Sequence, residues 1–193
     1  MLIEHFGFKE SKMNNNSKSI RKTIKASMMS SFYLLLISLI WNLNCATEIE
    51  VAHVHSGFEQ QVASIVNTVR FRGTRCGDTI MQNVSLLKWN QSLANAARDH
   101  SIDMAGNNYF NHTSLDGRTF SDRIKAAGYH TGGAIGENIA NGERGAAVMT
   151  SFLGNVDSCM NIMSPLYKEI GVGCVFDSSS KHKYYWTLLF AAQ

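Results

Sequence analysis

Proline occurs only once in this chain of 193 residues, and charged side chains account for only 17% of it. The scarcity of proline excludes a proline-rich or collagenous rod. Hydrophobic residues make up 45% of the sequence, which is ordinary for a globular protein and excludes wholesale disorder. The length fits one domain with an appendage better than two full domains.

A basic surface of the kind that binds nucleic acid is also missing. The formal net charge is +3, but the residues up to Cys45 carry +4, so the rest of the chain carries −1. A body this close to neutral has no basic face large enough to follow a phosphate backbone. We therefore expect no nucleic-acid partner.

The amino-terminal region has no apolar run long enough for an ordinary membrane span. A basic cluster, Lys18 to Lys25, precedes an apolar run of about 14 residues, Met28 to Trp41, whereas a spanning helix needs about 20. This combination is typical of a secretory signal. We predict a signal region over 1–45 and a linker over 46–57, with lipidation of Cys45 as the alternative to its removal. Both outcomes predict a secreted or periplasmic protein, in a compartment where disulfides persist.

Hydrophobic spacing in the remainder changes from a helical period to a strand period. Four segments have helical spacing, and two segments near the carboxyl end alternate as strands do. Helices followed by strands indicate an α+β fold, with a small, mostly antiparallel sheet covered by helices, in one domain over 58–193. Residues 72–85 read as a loop, and 132–141 is too rich in glycine for a long helix. The predicted helices are Phe58–Arg70, Asn90–Asn107, Phe120–Ala127 and Ala146–Leu153, and the predicted strands are Ile170–Phe176 and Tyr184–Phe190.

Five segments, taken together and in this order, resemble one known family. They are LKWNQSLANAARDHSIDMA (Leu87–Ala105), YFNHTSLDGRTFSDRIKAAGY (Tyr109–Tyr129), GENIA (Gly136–Ala140), NIMSPLYKEIGVGC (Asn161–Cys174) and YYWTLLF (Tyr184–Phe190). They are similar to the CAP superfamily of cysteine-rich secretory, antigen 5 and pathogenesis-related 1 proteins, in its bacterial SCP-like extracellular branch. The resemblance runs from Phe58 to the end of the chain. It implies an α-β-α sandwich, which agrees with the α+β pattern.

The resemblance also implies a cleft in which histidine and glutamate side chains gather. The matching residues are His112, Glu137 and Glu169. Two carboxylates and a neutral imidazole in one cavity favour a divalent cation, and zinc accepts this mixture of ligands. Ser158 stands where relatives usually have a second histidine, and a hydroxyl is a poor metal ligand at neutral pH. The implied zinc site is therefore weakened, and Asp157 is the neighbouring residue that would replace the missing ligand.

Motifs of the common hydrolases are missing, including H-E-x-x-H and G-x-S-x-G, so we assign no catalytic residue. We predict a non-enzymatic extracellular binding module, whose partner is an apolar ligand such as a lipid or sterol, or a molecule of the cell surface. Tyr109, Phe110, Tyr185 and Trp186 are candidate walls for an apolar ligand, although aromatic residues more often belong to the core. The alternatives are a metal-assisted hydrolase using the three cleft residues, and an envelope protein with a vestigial cleft.

The cysteines allow few pairings. If Cys45 is removed with the signal, three remain, so at most one disulfide forms. Cys174 lies on the apolar face of a predicted strand, where a free thiol behaves as a small hydrophobic side chain. Cys76 and Cys159 lie in segments without periodicity, and the resemblance implies cysteines at these two positions together. We favour Cys76–Cys159, with Cys159–Cys174 as the alternative.

One histidine is expected in the core. His100 lies on the apolar stripe of the second predicted helix, together with Leu93 and Met104. A buried histidine in such a place usually hydrogen-bonds to a backbone group. We expect that role for His100, with ligand binding as the alternative.

Overall fold

The computed structural model describes residues 57–130 and 132–192. The predicted signal region, Cys45 and nearly all of the predicted linker lie outside these described residues. The described part of the chain contains no helix that is both long enough and apolar enough to cross a membrane.

The described chain folds into helices first and two long strands last, as the sequence predicts. Helix α1 is seen over 57–72. The N-cap of α2 is Asn90, whose side-chain oxygen accepts a hydrogen bond from the Leu93 amide. The elements that follow α1 are β1 (Thr74–Cys76), β2 (Thr79–Met81), β3 (Lys88–Trp89), α2 (Gln91–Gly106), α3 (Phe120–Ala126), β4 (Ile135–Asn141), a 3₁₀ turn (Gly145–Ala147), α4 (Val148–Gly154), α5 (Val156–Ile162), β5 (Glu169–Phe176) and β6 (Tyr184–Ala191).

Three segments are more regular than the sequence predicts. Residues 74–81, expected to be a loop, contain the antiparallel hairpin β1–β2. The glycine-containing segment 132–141 provides β4, and helix α5 contains Cys159, in a segment that the sequence predicts to be irregular. β4 is paired along its whole length with β6, which is distant in sequence, and tertiary contacts of that kind override weak local propensity.

The main sheet has four strands in the order β3-β5-β6-β4. Strand β6 pairs antiparallel with both β5 and β4, whereas β3 pairs parallel with β5. The long hairpin β5–β6 is therefore central, and β4 lies at an edge. This confirms the small, mostly antiparallel sheet.

Helices cover both faces of this sheet. On β6, Trp186, Leu188 and Phe190 pack into a core with residues of α1, α4 and α5. The alternating residues Leu189 and Ala191 point to the other face and pack with α2 and α3. The arrangement confirms the α-β-α sandwich.

Helix α2 lies unusually close to the sheet because two residues of β5 lack a side chain. A Cβ added to Gly171 would collide with the backbone of Leu93 and Ala94, and one added to Gly173 would collide with the backbone at Arg98. Glycine at these positions thus sets the distance between α2 and β5. That distance also fixes where the end of α2 and the loop after it lie.

A disulfide joins Cys76 of β1 to Cys159 of α5, with the two Cα atoms 5.5 Å apart. This confirms the predicted pairing over the Cys159–Cys174 alternative. Cys174 is a buried free thiol in β5, and burial raises its pKa. The bridge ties the β1–β2 hairpin to the helix that forms one wall of the cleft described next.

Candidate functional site

An open cleft of about 710 Å³ lies beside β4, between the loop that follows α2 and the helices α4 and α5. Most side chains in its lining are polar. The lining residues are Phe110, Asn111, His112, Glu137, Asn138, Ile139, Ala140, Asn141, Glu143, Ser151, Phe152, Asn155, Asp157, Ser158 and Asn161.

His112 and Glu137 meet in this cleft. The Nδ1 atom of His112 lies 2.7 Å from Oε1 of Glu137. The histidine side chain is 56% exposed, whereas the carboxylate is fully buried. The contact fixes the orientation of the imidazole and leaves much of the ring open to a bound molecule. Two of the three predicted cleft residues are thus brought together.

Arg123 balances the buried charge of Glu137. Its Nη2 donates to Oε2 of Glu137 at 2.6 Å, and the guanidinium is itself 4% exposed. The same guanidinium donates to the carbonyls of His112 and Arg118 and to the hydroxyl of Ser114. It therefore holds the loop that carries His112 against the sheet.

The helix that presents Arg123 is well defined at its start. Thr119 is the N-cap of α3, and its hydroxyl accepts from the Asp122 amide while the Asp122 carboxylate accepts from the Thr119 amide. This reciprocal capping box satisfies two amide groups of the first turn. Because Arg123 is the next residue, the cap fixes its position over the sheet.

Asparagine side chains connect β4 to α5 on the opposite wall. Asn138 donates to the carbonyl of Ser158, and Asn161 donates to the carbonyl of Glu137 and to Oδ1 of Asn138. Tyr167 in turn donates to Oδ1 of Asn161 at 2.8 Å. Ser158, at the position where the resemblance implied a histidine, lies on the cleft wall together with Asp157.

A second polar group lies behind the His112 loop. Tyr109 donates to Oδ2 of Asp103 at 2.5 Å, and burial together with this hydrogen bond raises the pKa of Tyr109 to about 12. Nε2 of His100 contacts the carbonyl of Asn111 at 3.0 Å. Because a carbonyl only accepts, Nε2 carries the hydrogen, and burial lowers the pKa of His100. His100 is thus buried and hydrogen-bonded to a backbone carbonyl, as expected.

Glu169 does not join the other two predicted residues. Its Oε2 accepts from the hydroxyl of Tyr129 at 2.5 Å, and its Oε1 accepts from Nδ2 of Asn90 at 3.3 Å. Burial and this carboxylate raise the pKa of Tyr129. Glu169 is the first residue of β5, and its partners are the N-cap of α2 and the residue after the turn that ends α3, so it serves to join these elements.

The predicted zinc ligands are consequently not assembled. Within the described residues, no group of three histidine, cysteine, aspartate or glutamate side chains is placed to hold a metal ion. One carboxylate oxygen of Glu137 contacts Arg123, a cation, and the other contacts His112. The donor set does not fit the implied site, and Asp157 does not complete it.

The four aromatic candidates for an apolar wall lie in different parts of the structure. Phe110 lines the cleft and is 40% exposed. Tyr185 and Trp186 are fully buried in the core, which was the alternative for them. The hydroxyl of Tyr109 donates a hydrogen bond to Asp103, and Tyr109 is not among the lining residues of the cleft.

Sequence reasoning missed Arg123, Asn138 and Asn161. All three lie in segments that carry the resemblance, but nothing in their local spacing marks them as partners of a cleft. Arg123 is 14 residues from Glu137 in sequence, and Asn161 is 24 residues away. A basic residue in a short amphipathic helix is the only signal, and it usually means an exposed charge.

The α-β-α sandwich is the fold of an SCP-type protein. The family model of the cysteine-rich secretory protein family (CAP) matches residues 63–190. The chain therefore belongs to this family.

Two curated relatives come from Bacillus subtilis (strain 168). The chain is 30% identical over 116 residues to the uncharacterized membrane protein YlbC, covering 60% of this chain and 31% of that protein. It is 31% identical over 127 residues to the uncharacterized protein YkwD, covering 64% of this chain and 45% of that protein. The chain thus spans less than half the length of either relative.

Solved structures show the same fold. An extracellular protein containing an SCP domain from Bacillus anthracis str. Ames superposes with a TM-score of 0.60 at 28% identity, covering 72% of this chain and 42% of that one. An outer surface protein from Borrelia burgdorferi superposes with a TM-score of 0.57, covering 68% of this chain and 89% of that one. At 19% identity this second likeness shows the fold alone.

Proposed function

We propose that this protein is an extracytoplasmic binding module that holds a polar, hydrogen-bonding ligand in the cleft beside β4. The carrying observation is the composition of the cleft lining, in which asparagine, serine, carboxylate and imidazole groups outnumber apolar side chains. Ligand sites of this size obtain specificity from a few fixed polar groups. His112 and Asn161 are fixed in this way by the contacts with Glu137.

Three observations support a location outside the cytoplasm. The amino-terminal region has the basic cluster and short apolar run of a secretory signal. The Bacillus anthracis structure is of an extracellular protein, and one Bacillus subtilis relative is named a membrane protein. The disulfide Cys76–Cys159 fits an oxidising compartment.

A polar ligand replaces the lipid or sterol of our first hypothesis. Of the four aromatic residues considered for an apolar wall, only Phe110 lines the cleft. An apolar ligand would leave carboxylate and amide groups of the lining without water or partners, and that costs free energy. A surface partner with many hydrogen-bonding groups has no such cost.

A metal-assisted hydrolase fits this cleft less well. The contact between His112 and Glu137 resembles the pairing of a general base with a carboxylate that orients it. The third residue of that hypothesis, Glu169, is engaged with Tyr129 and Asn90 instead. We therefore derive no reaction for this site.

A thermal-shift screen tests the proposal. Two sets of compounds are compared, one of oligosaccharides, amino-acid amides and short peptides, the other of palmitate and cholesterol. A ligand that binds the folded state raises the melting temperature by mass action. We expect a member of the polar set to do so with the native chain.

The variant Ser158→Arg places a long side chain in the cleft while leaving the backbone hydrogen bonds at residue 158 available. Ser121→Arg, on α3 and outside the cleft lining, is the matched control. Stabilisation by the polar compound should survive in Ser121→Arg and disappear in Ser158→Arg. Stabilisation by palmitate or cholesterol that depends on Ser158, or no dependence on Ser158 for any compound, would contradict the proposal.

A further inference from the structure

No strand in the described part of the chain pairs with the edge of β4 that faces away from β6. Among residues 57–130 and 132–192, the sheet partner of β4 is β6 alone. The flanking bonds from Ala192 to Ala134 and from Gly142 to Tyr184 show that even-numbered residues direct their backbone groups toward β6. Hydrogen-bonding direction alternates along an antiparallel strand, so odd-numbered residues direct theirs outward.

In the described chain, side chains hydrogen-bond to the outward backbone groups in the first half of β4 but not to those in the second half. The carbonyl of Ile135 accepts from the Tyr167 hydroxyl, and the carbonyl of Glu137 accepts from Asn161. The outward N–H and C=O groups of Ile139 and Asn141 have no such partner within 57–130 and 132–192. Two residues of an edge strand therefore present unpaired backbone groups.

The cleft follows this edge. Its lining includes five consecutive residues, 137–141. Neighbouring residues of a strand point to opposite faces of the sheet, and here Ile139 packs against Met104 and Tyr185 while Ala140 packs into the core on the other side. A cavity that touches both kinds of residue must run along the edge itself. The backbone groups of Ile139 and Asn141 thus face the cleft.

The charge of the cleft is acidic. Arg123 neutralises Glu137, but no described lysine or arginine lines the cleft beside Glu143 and Asp157. One oxygen of Glu143 accepts from Ser151 at 2.6 Å, and the other, Oε2, is buried without a hydrogen-bond partner in the described part of the chain. A buried carboxylate oxygen without a partner is costly. It is suited to a donor from a bound cationic side chain.

From these observations we propose that the cleft binds an extended peptide segment carrying lysine or arginine, which pairs with Ile139 and Asn141 as an additional strand beside β4. Backbone hydrogen bonds to a sheet edge supply affinity in this mode of binding, and side-chain pockets supply selectivity. Alternate side chains of the peptide would face the Phe110–His112 wall and the α4–α5 wall. The basic side chain would reach Glu143 or Asp157. This inference rests on the proposed function, since it names the polar ligand of the same cleft.

Selection from a random heptapeptide library displayed on phage, against the purified full-length chain, tests this proposal. We expect enrichment of peptides that contain lysine or arginine and lack proline, because proline removes a donor from a paired strand. Counter-selection uses Ser158→Arg, in which a long side chain obstructs the cleft. A lack of enrichment over that variant, or enrichment of acidic or proline-rich sequences, would overturn the proposal.

The selected peptides are then synthesised and measured by calorimetry and by hydrogen exchange. The variant Glu143→Gln/Asp157→Asn should bind at least tenfold more weakly, whereas Asp78→Asn/Asp99→Asn, with the same net charge change at exposed positions outside the cleft, should bind as the native chain does. Bound peptide should slow amide exchange of Ile139 and Asn141 at least tenfold. Equal affinity of the two double variants would contradict the role of Glu143 and Asp157.

The two proposals fail in different ways. A peptide that binds in the cleft without slowing exchange at Ile139 and Asn141 overturns strand pairing and leaves the proposed binding function standing. Binding of polar small molecules without selection of any peptide would likewise overturn strand pairing and leave the proposed binding function standing. If stabilisation by every polar compound is independent of Ser158, the proposed function itself is overturned.

Discussion

Glu137 is the residue on which the polar arrangement of the cleft depends. Its buried carboxylate contacts His112 with one oxygen and Arg123 with the other, and its carbonyl accepts from Asn161. It thus joins the loop after α2, helix α3 and helix α5 to β4. A buried ion pair contributes little net stability by itself, but removal of one charge leaves the other without compensation.

We predict that Glu137→Gln destabilises the fold. The guanidinium of Arg123 is 4% exposed and would lose its counter-charge, so the free energy of unfolding should fall by about 3 kcal/mol. Urea unfolding followed by circular dichroism measures this. Asp116→Asn is the control, because it removes the carboxylate of the exposed Arg118–Asp116 pair and should change stability little. Equal effects of the two changes would show that Arg123 does not depend on Glu137.

His100 should make stability dependent on pH. Burial lowers its pKa below the ordinary value of 6.5, so the unfolded chain binds the proton more readily than the folded chain. The free energy of unfolding therefore does not depend on His100 titration above about pH 6.5. It decreases as the pH falls below that value, with a slope of up to about 1.4 kcal/mol per pH unit. Urea unfolding between about pH 4 and about pH 8, in steps of roughly one unit, follows this dependence.

The matched variants are His100→Gln and His130→Gln, the second at an exposed position. The first should have a flatter stability profile below about pH 6.5 than the native chain, and the second should keep the native profile. An unchanged profile in His100→Gln would refute the assignment of this dependence to His100.

At the scale of elements, the contact of α2 with β5 positions the loop that carries His112. Gly171 and Gly173 allow the helix backbone to approach the strand at a distance that no side chain permits. The strand pattern with its two glycines is readable in the sequence, but it does not reveal which helix they accommodate. The tertiary contact supplies that information.

We predict that Gly171→Ala is strongly destabilising. Its Cβ would collide with the α2 backbone, which cannot move aside as a flexible side chain can, so the free energy of unfolding should fall by about 3 kcal/mol. Gly106→Ala is the control, because a Cβ there meets no atom within 4 Å at the end of α2. It should be neutral or slightly stabilising. Similar melting temperatures for the two variants would contradict the proposed close approach.

The elements differ in how well the sequence predicts them. Helix α2 and strands β5 and β6 follow from apolar spacing and, for α2, from the cap at Asn90. In β4, glycine and asparagine are as numerous as apolar residues, and its identity as a strand comes from pairing with β6. α5 has seven residues, too few for a clear period.

At the scale of the whole molecule, the disulfide joins parts of the chain that are far apart in sequence. Cys76 and Cys159 are separated by 83 residues. In the chain-entropy model, closing a loop of this length stabilises the fold by about 4 kcal/mol. Because Cys159 lies in α5, the bridge also holds one wall of the cleft.

We predict that Cys76→Ala/Cys159→Ala unfolds at a clearly lower urea concentration than the native chain, with a loss of about 4 kcal/mol at most. Cys174→Ala removes a buried thiol without opening a loop, so it should cost about 1 kcal/mol. Non-reducing peptide mapping gives an independent check, with Cys76 and Cys159 in one linked peptide and Cys174 free to alkylate. A peptide linking Cys159 to Cys174 would disprove the pairing.

The sequence by itself determined the fold class, the principal helices and strands, the family and the residues His112, Glu137 and Ser158 of the cleft. The fold class and the principal elements follow from local periodicity and capping, whereas the family and the cleft residues were implied by the resemblance of five short segments in a fixed order. Only the tertiary structure decided that Arg123 accompanies Glu137, that Glu169 joins other elements, and that the cleft runs along the open edge of β4. Those facts depend on strand register and helix packing, which bring together groups that are 14 to 25 residues apart in sequence. No short segment contains the information that sets such contacts.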